Sequence, residues 1–267
     1  MLAPAPDRLH ALLATAARVV PGLDGTIGTI GTIGEIDGID GIDDGGGRGG
    51  RAWSEARAED IAPMVRHLGA HVPEAGAHYW SLRAWGLHIW QPVYLGIVGV
   101  HCCACAPDLS ALSQRTEAGG IHGFRIAPHT PRLGAEDDGL RGVARQIAEG
   151  WTRLHAQWRD VGPLPVKAAG RLLADCVLGA LLCVQRERTD WDAPRMHALG
   201  QRWLEAIGLG GECGFLAYRD GSGAERLALA RKGCCLHYRR TDGEMCATCP
   251  RQRVPERLAR LAARDGP

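Results

Sequence analysis

The sequence predicts an α+β protein: a mainly α-helical domain carrying a small C-terminal β-hairpin and a compact cysteine-bearing module. Three observations predict it. Apolar residues recur at steps of three and four through much of 53–208, the spacing of a helix face. After Gly208 the texture shifts to two short runs around Asp220-Gly221-Ser222-Gly223, a hairpin signal. The stretch "CCLHYRRTDGEMCATCP", Cys234–Pro250, then holds four of the chain's ten cysteines.

Taken in order, residues 1–52 read as a short N-terminal helix followed by a Gly/Ile low-complexity insertion. The tract "TIGTIGTIGEIDGIDGID" repeats every three residues, matching neither the helical nor the strand period, and is expected to be disordered. Collagen is excluded because proline is missing from it, and a phosphate loop because no strand and helix frame it. The helical domain is assigned to 53–208. It opens with Ile61, Val65 and Leu68 at helical spacing. The segment "AHYWSLRAWGLHIWQPVYLGIVGVHCCAC" follows, apolar almost all round and read as a buried helix pair broken at Pro92. Leu140–Arg159 is the clearest amphipathic helix, Val166–Gln185 a core helix, and Asp192-Ala-Pro opens another running to Ile207. Residues 209–267 form the C-terminal module, ending in a basic helix over Pro255–Arg264.

Composition narrows the function classes. A net charge of +1 gives the chain as a whole no strong pull toward nucleic acid or a membrane surface, so at most peripheral membrane contact is expected. The N-terminal apolar stretch is interrupted by Asp7, Arg8, His10 and Arg18, unlike a secretory signal. The longest apolar runs, around Val93–Cys105 and Leu172–Val184, fall short of the ~20 residues that span a bilayer. The expectation is a cytoplasmic protein, where clustered cysteines point to metal or redox chemistry before disulfides.

Thiolates suit soft or borderline ions: zinc, copper(I), or iron with bridging sulfide. The sulfurs of Cys246-x-x-Cys249 can converge on one ion, as in zinc knuckles and iron–sulfur loops. Cys234-Cys235 is the unusual half, because adjacent side chains on extended backbone point to opposite faces. A zinc ribbon has a spaced knuckle on both sides, and here one is missing. A two-iron cluster is wider and accepts sulfurs from several directions. That favours 2Fe–2S, with structural zinc in a non-catalytic, regulatory or nucleic-acid-binding protein as the alternative.

The spacing C-C-x10-C-x2-C resembles the motif of the ferric siderophore reductase family, the FhuF-like proteins. The resemblance extends to "RKGCCLHYR", "YWSLRAWGLHIWQPVYLGIVGVH" and "LPVKAAGRLLADCVLGALL", and so covers roughly 53–251. It implies a cytoplasmic reductase with a 2Fe–2S cluster on Cys234, Cys235, Cys246 and Cys249. That enzyme passes one electron to Fe(III) in a siderophore, typically of hydroxamate type, and releases Fe(II). The fold expectation thus becomes an α-helical siderophore-binding domain with a small β-hairpin and an iron–sulfur-binding module. Residues 231–267 hold nine Lys/Arg against four Asp/Glu, a local +5 suited to an acidic donor or substrate. With no nicotinamide or flavin fingerprint in the sequence, electrons are expected from a partner, a ferredoxin or flavoprotein.

Other clusters read as structural. "HCCAC", His101–Cys105, ends an apolar run in a spacing that fits no familiar metal site. Cys176 and Cys183 face one side of an apolar helix, and Cys213 is a spare thiol beside the module. His237 is placed at the surface or behind the ligands, and His67 and His71 on a polar helix face. The tryptophans at 80, 85 and 90 are read as aromatic packing. Arg83 and Trp90 are candidates to line a substrate pocket.

Overall fold

In a computed structural model the described residues are 5–28, 51–117 and 119–264. The helices come where the periodicity predicts them. They are α1 (Ala5–Val19), α2 (Ala58–His71), α3 (Ala77–Cys103), α4 (Glu136–Gln157), α5 (Val166–Glu187), α6 (Ala193–Ile207) and α7 (Val254–Arg264). Local chemistry sets several of their ends. Asp192 caps α6 by accepting the Arg195 N–H at 2.8 Å, and Gly208 closes it with φ 80°. Glu136, Asp137 and Asp138 put negative charge on the first turn of α4, where the helix dipole favours it.

The core forms around α3, which packs against α1, α2, α4 and α5. Pro92 does not break it: α3 is one continuous helix, not a pair. An interior proline costs a helix about 3 kcal/mol or more. Burial of Trp85, Ile89, Val93, Leu95 and Ile97 offsets that, because each such side chain contributes about 1.5–3 kcal/mol. Trp85 also donates its indole N–H to the Ala169 carbonyl at 3.0 Å, joining α3 to α5. By length and apolarity alone α5 could cross a membrane. Here Leu173, Val177, Leu181 and Val184 are buried in the protein core.

The described N-terminal residues, 5–28, pack onto this body. Leu9, Leu12, Leu13, Ala16 and Val19 give α1 a buried stripe, with His10 exposed on the far side and Arg18 paired to Glu187 of α5. Helical geometry thus sets His10 and Arg18 apart from the apolar stripe although both interrupt the apolar stretch in sequence. The repeat also contributes. Gly25–Ile27 is strand β1, pairing in parallel with β4 (Gly120–Ile126), which in turn pairs antiparallel with β3 (Leu112–Glu117). A Cβ on Gly25 would run into the Phe124 ring, so this close approach needs glycine. The rest of the repeat and the glycine run after it, 29–50, lie outside the described residues. Cys105–Ala106 (β2) and Arg132–Leu133 (β5) make a two-residue ladder.

At the C-terminal end, β6 (Phe215–Arg219) and β7 (Glu225–Leu229) form the predicted hairpin. Its turn is held by Asp220, whose carboxylate accepts from the Ser222 and Ala224 N–H groups. The strands rest on α5 and α7, and the cysteine loop follows directly.

Candidate iron–sulfur site

Residues 231–252 form a loop with little regular structure, held by turns. After Cys235 the chain enters the left-handed region at Leu236 (φ 59°) and makes one 3-10 turn over His237–Arg239. Gly243 closes that turn, its N–H bonded to the Arg240 carbonyl at 3.0 Å; any side chain there would collide with the His237 carbonyl. The second cysteine pair lies on a tight turn, with the Cys249 N–H on the Cys246 carbonyl at 2.9 Å. Buried Gln252 donates its amide to that same carbonyl at 2.8 Å.

These turns bring the sulfurs together two by two. Cys234 Sγ lies 3.9 Å from Cys249 Sγ, and Cys235 is in side-chain contact with Cys246. Each adjacent cysteine therefore meets one member of the C-x-x-C. Cys249 is buried and the other three are half-buried.

Hydrogen-bond donors point into this sulfur set. The Leu236 N–H approaches Cys234 Sγ at 3.5 Å, and Arg231 Nη1 donates to Cys246 Sγ at 3.4 Å. Cys235 is held down to about 4, first by the hydrogen bond from Cys246, then by the His237 N–H and the Arg231 guanidinium. Cys246 moves up correspondingly, and burial pushes Cys234 up. The contact between the two sulfurs and the nearby guanidinium thus favours the thiolate at Cys235.

The loop also touches the helical body. The Thr241 N–H donates to Glu74 Oε1 at 3.0 Å, and the His237 ring lies 6.3 Å from that of Tyr79, in the first turn of α3. Arg231 reaches across to Asp175 of α5 at 2.6 Å. Sequence reasoning passed over this pair. The available signal was a lone acid inside an apolar helix, which needs a partner.

The remaining candidates fall elsewhere. His101 is buried, accepts the Trp203 indole N–H on Nε2 at 2.9 Å and faces Glu136 at 3.6 Å, so it ties α3 to α4 and α6. Cys102 and Cys103 are half-buried and Cys105 is buried. Among the described residues no group of three or more His, Cys, Asp or Glu side chains is gathered as a single-ion site. Cys213 is buried with its sulfur near the Gly214 and Ala230 carbonyls, at 3.6 and 3.8 Å. His237 is exposed, and the His67 and His71 rings stack on α2 at 3.8 Å.

Two shallow cavities flank the loop after α4. One, of about 340 Å³, is lined by Val65, Arg66, Gly69, Ala77, Trp80 and Pro163 among others. The other, of about 200 Å³, is lined by His155, Trp158, Arg159 and Leu164, and the two share Gly162. Arg83 and Trp90 line neither.

A helical body with a four-thiol loop behind a C-terminal hairpin defines a protein with a candidate thiolate-ligated centre. More particularly, residues 231–251 match the family model of the FhuF 2Fe-2S C-terminal domain. That segment contains all four paired cysteines and Arg231, and the cofactor it defines is a 2Fe–2S cluster. The donor set fits such a group: four thiols in two close pairs, with N–H groups aimed at sulfur.

Proposed function

We propose that this chain is a ferric-siderophore reductase working in the cytoplasm, with its cluster held by Cys234, Cys235, Cys246 and Cys249. The observation that carries the ligand assignment is the two-by-two pairing of the sulfurs inside the matched segment. A two-iron cluster would be held by such a set, two thiolates toward each iron. A tetrahedral zinc calls for four sulfurs around one point.

When bound, a 2Fe–2S cluster takes up and gives out one electron at a time. One electron delivered to the chelate turns Fe(III) into Fe(II). The hard oxygen donors of a hydroxamate hold the ferrous ion far less well, so it is released. No covalent bond to carbon changes, and the chain needs no general acid or base. Its own residues hold the thiolates, shield Cys249 from water, direct N–H groups at sulfur and position the two partners.

On this reading the chelate docks in the groove of about 340 Å³. Ala77 and Trp80 line it from the first turn of α3, the turn whose Tyr79 faces His237 of the cysteine loop. Trp80, Val65 and Pro163 offer apolar surface, and Arg66 offers a positive charge. The electron donor meets the basic side of the module, where Arg239, Arg253, Arg257 and Arg260 are exposed or half-exposed and Arg251 lies over Tyr238. An acidic ferredoxin or flavoprotein fits that surface.

A ferrous-trap assay tests the reading. Fe(II) should accumulate from ferric hydroxamate when a reduced ferredoxin-type donor is supplied, and not with NADPH alone. Equal rates with NADPH and no partner would contradict the donor assignment. No Fe(II) with any donor would contradict the reductase.

A further inference from the structure

Asp175 lies in the middle of α5, a buried apolar helix, and is itself 6% exposed. Its Oδ2 accepts from Arg231 Nε at 2.6 Å. The Arg231 side chain is 12% exposed, and a second arm of the same guanidinium, Nη1, donates to Cys246 Sγ at 3.4 Å. A purely structural ion pair needs only the first contact. The planar fork of arginine makes the second one directional: with Nε fixed on Asp175, Nη1 is aimed at sulfur.

Neither partner can leave cheaply. Removing either one strands a charge in the interior, which is strongly destabilising. The guanidinium is therefore fixed beside the thiolates, in a setting where a charge is felt more than in water. Adding an electron makes a cluster more negative. A fixed cation and an N–H on sulfur favour that form and so raise the reduction potential. A nearby carboxylate opposes them.

We propose that Arg231 is a positioning residue that raises the reduction potential of the cluster through its hydrogen bond to Cys246, and that Asp175 aims it and partly offsets its charge. The inference rests on the placement of the cluster at the four cysteines.

The test is a dye-mediated redox titration of anaerobically purified protein, with iron and sulfide measured on every sample. Arg231→Gln should lower the reduced-to-oxidised ratio at the wild-type midpoint tenfold or more, about 59 mV for a one-electron couple. Asp175→Asn should move the potential the other way, and Arg231→Lys should recover part of the loss. A residue that only held the fold together would not give shifts of opposite sign with cluster content unchanged. Should a single variant fail to fold, the neutral pair Arg231→Gln/Asp175→Asn carries the test, and its potential should fall below wild type. An intact cluster with an unmoved potential, or with both single variants shifting the same way, overturns this inference alone. Wild-type protein without iron and sulfide overturns the ligand assignment beneath it.

Discussion

Cys234 and Cys249 lie with their sulfurs 3.9 Å apart although they open and close the four-cysteine motif. The inner two, Cys235 and Cys246, meet each other in turn. This nesting makes the four thiols interdependent. Replacing any one by Ser should remove or severely weaken the visible charge-transfer bands, because a hydroxyl is a harder and poorer ligand than thiolate. Cys103→Ser should leave the bands intact. A Cys235→Ser protein that kept its bands while Cys103→Ser lost them would move the site to α3.

The groove beside the first turn of α3 gives a second expectation. Arg66→Ala and Trp80→Ala should raise KM for a ferric hydroxamate about tenfold, equivalent to about 1.4 kcal/mol, with iron and sulfide content unchanged. Trp80 also donates its indole N–H to the Val72 carbonyl at 2.9 Å, so its melting temperature must be compared as well. Arg66 is exposed and serves as the cleaner probe. An unchanged KM in both variants would place the chelate elsewhere.

Two buried histidines set a pH dependence of stability. Burial lowers His88 and His101 to about 4 from 6.5. Both are neutral in the fold, while in the unfolded chain they take up protons below about 6.5. Between those values the unfolded state binds more protons, so stability is full above 6.5 and is lost as pH falls toward 4. At 1.36 kcal/mol per unit, each histidine withdraws roughly 2 kcal/mol by pH 5. Thermal melts at pH 7 and pH 5 should therefore show a drop of several degrees. The drop should shrink in His88→Gln and again in His101→Gln. Identical pH slopes in wild type and both variants would contradict the assignment.

The start of the repeat should be structurally sensitive. Gly25→Ala forces a methyl group against Phe124 under the parallel β1–β4 pairing. Overpacking of this kind costs about 1–3 kcal/mol, so the melting temperature should fall while cluster content holds. An unchanged melting temperature would mean that β1 contributes little.

Much of this was legible in the sequence, for physical reasons that differ by element. The long helices declare themselves because one face of each must be apolar, as Leu140, Val143 and Ile147 of α4 show. Pro92 misleads because its local cost is outweighed by burial that the local sequence cannot display. Strand β1 hides in a period-three repeat, where the fit of Gly25 under Phe124 depends on a residue about a hundred positions away. At the candidate site, the motif spacing singled out four thiols that the fold brings together in pairs, but spacing carries no information on which sulfur meets which. The Arg231–Asp175 contact joins two segments 56 residues apart, so only the fold reveals it.

The most direct measurement is a single-turnover experiment. Anaerobic protein reduced with dithionite, freed of excess reductant and mixed with a ferric hydroxamate siderophore, should be reoxidised. The oxidised visible bands should return as one Fe(II) per chain appears in a ferrous trap. A reduced cluster that persists in the presence of every ferric chelate offered, with no Fe(II) formed, would contradict the reductase and leave an iron–sulfur protein with a different electron acceptor.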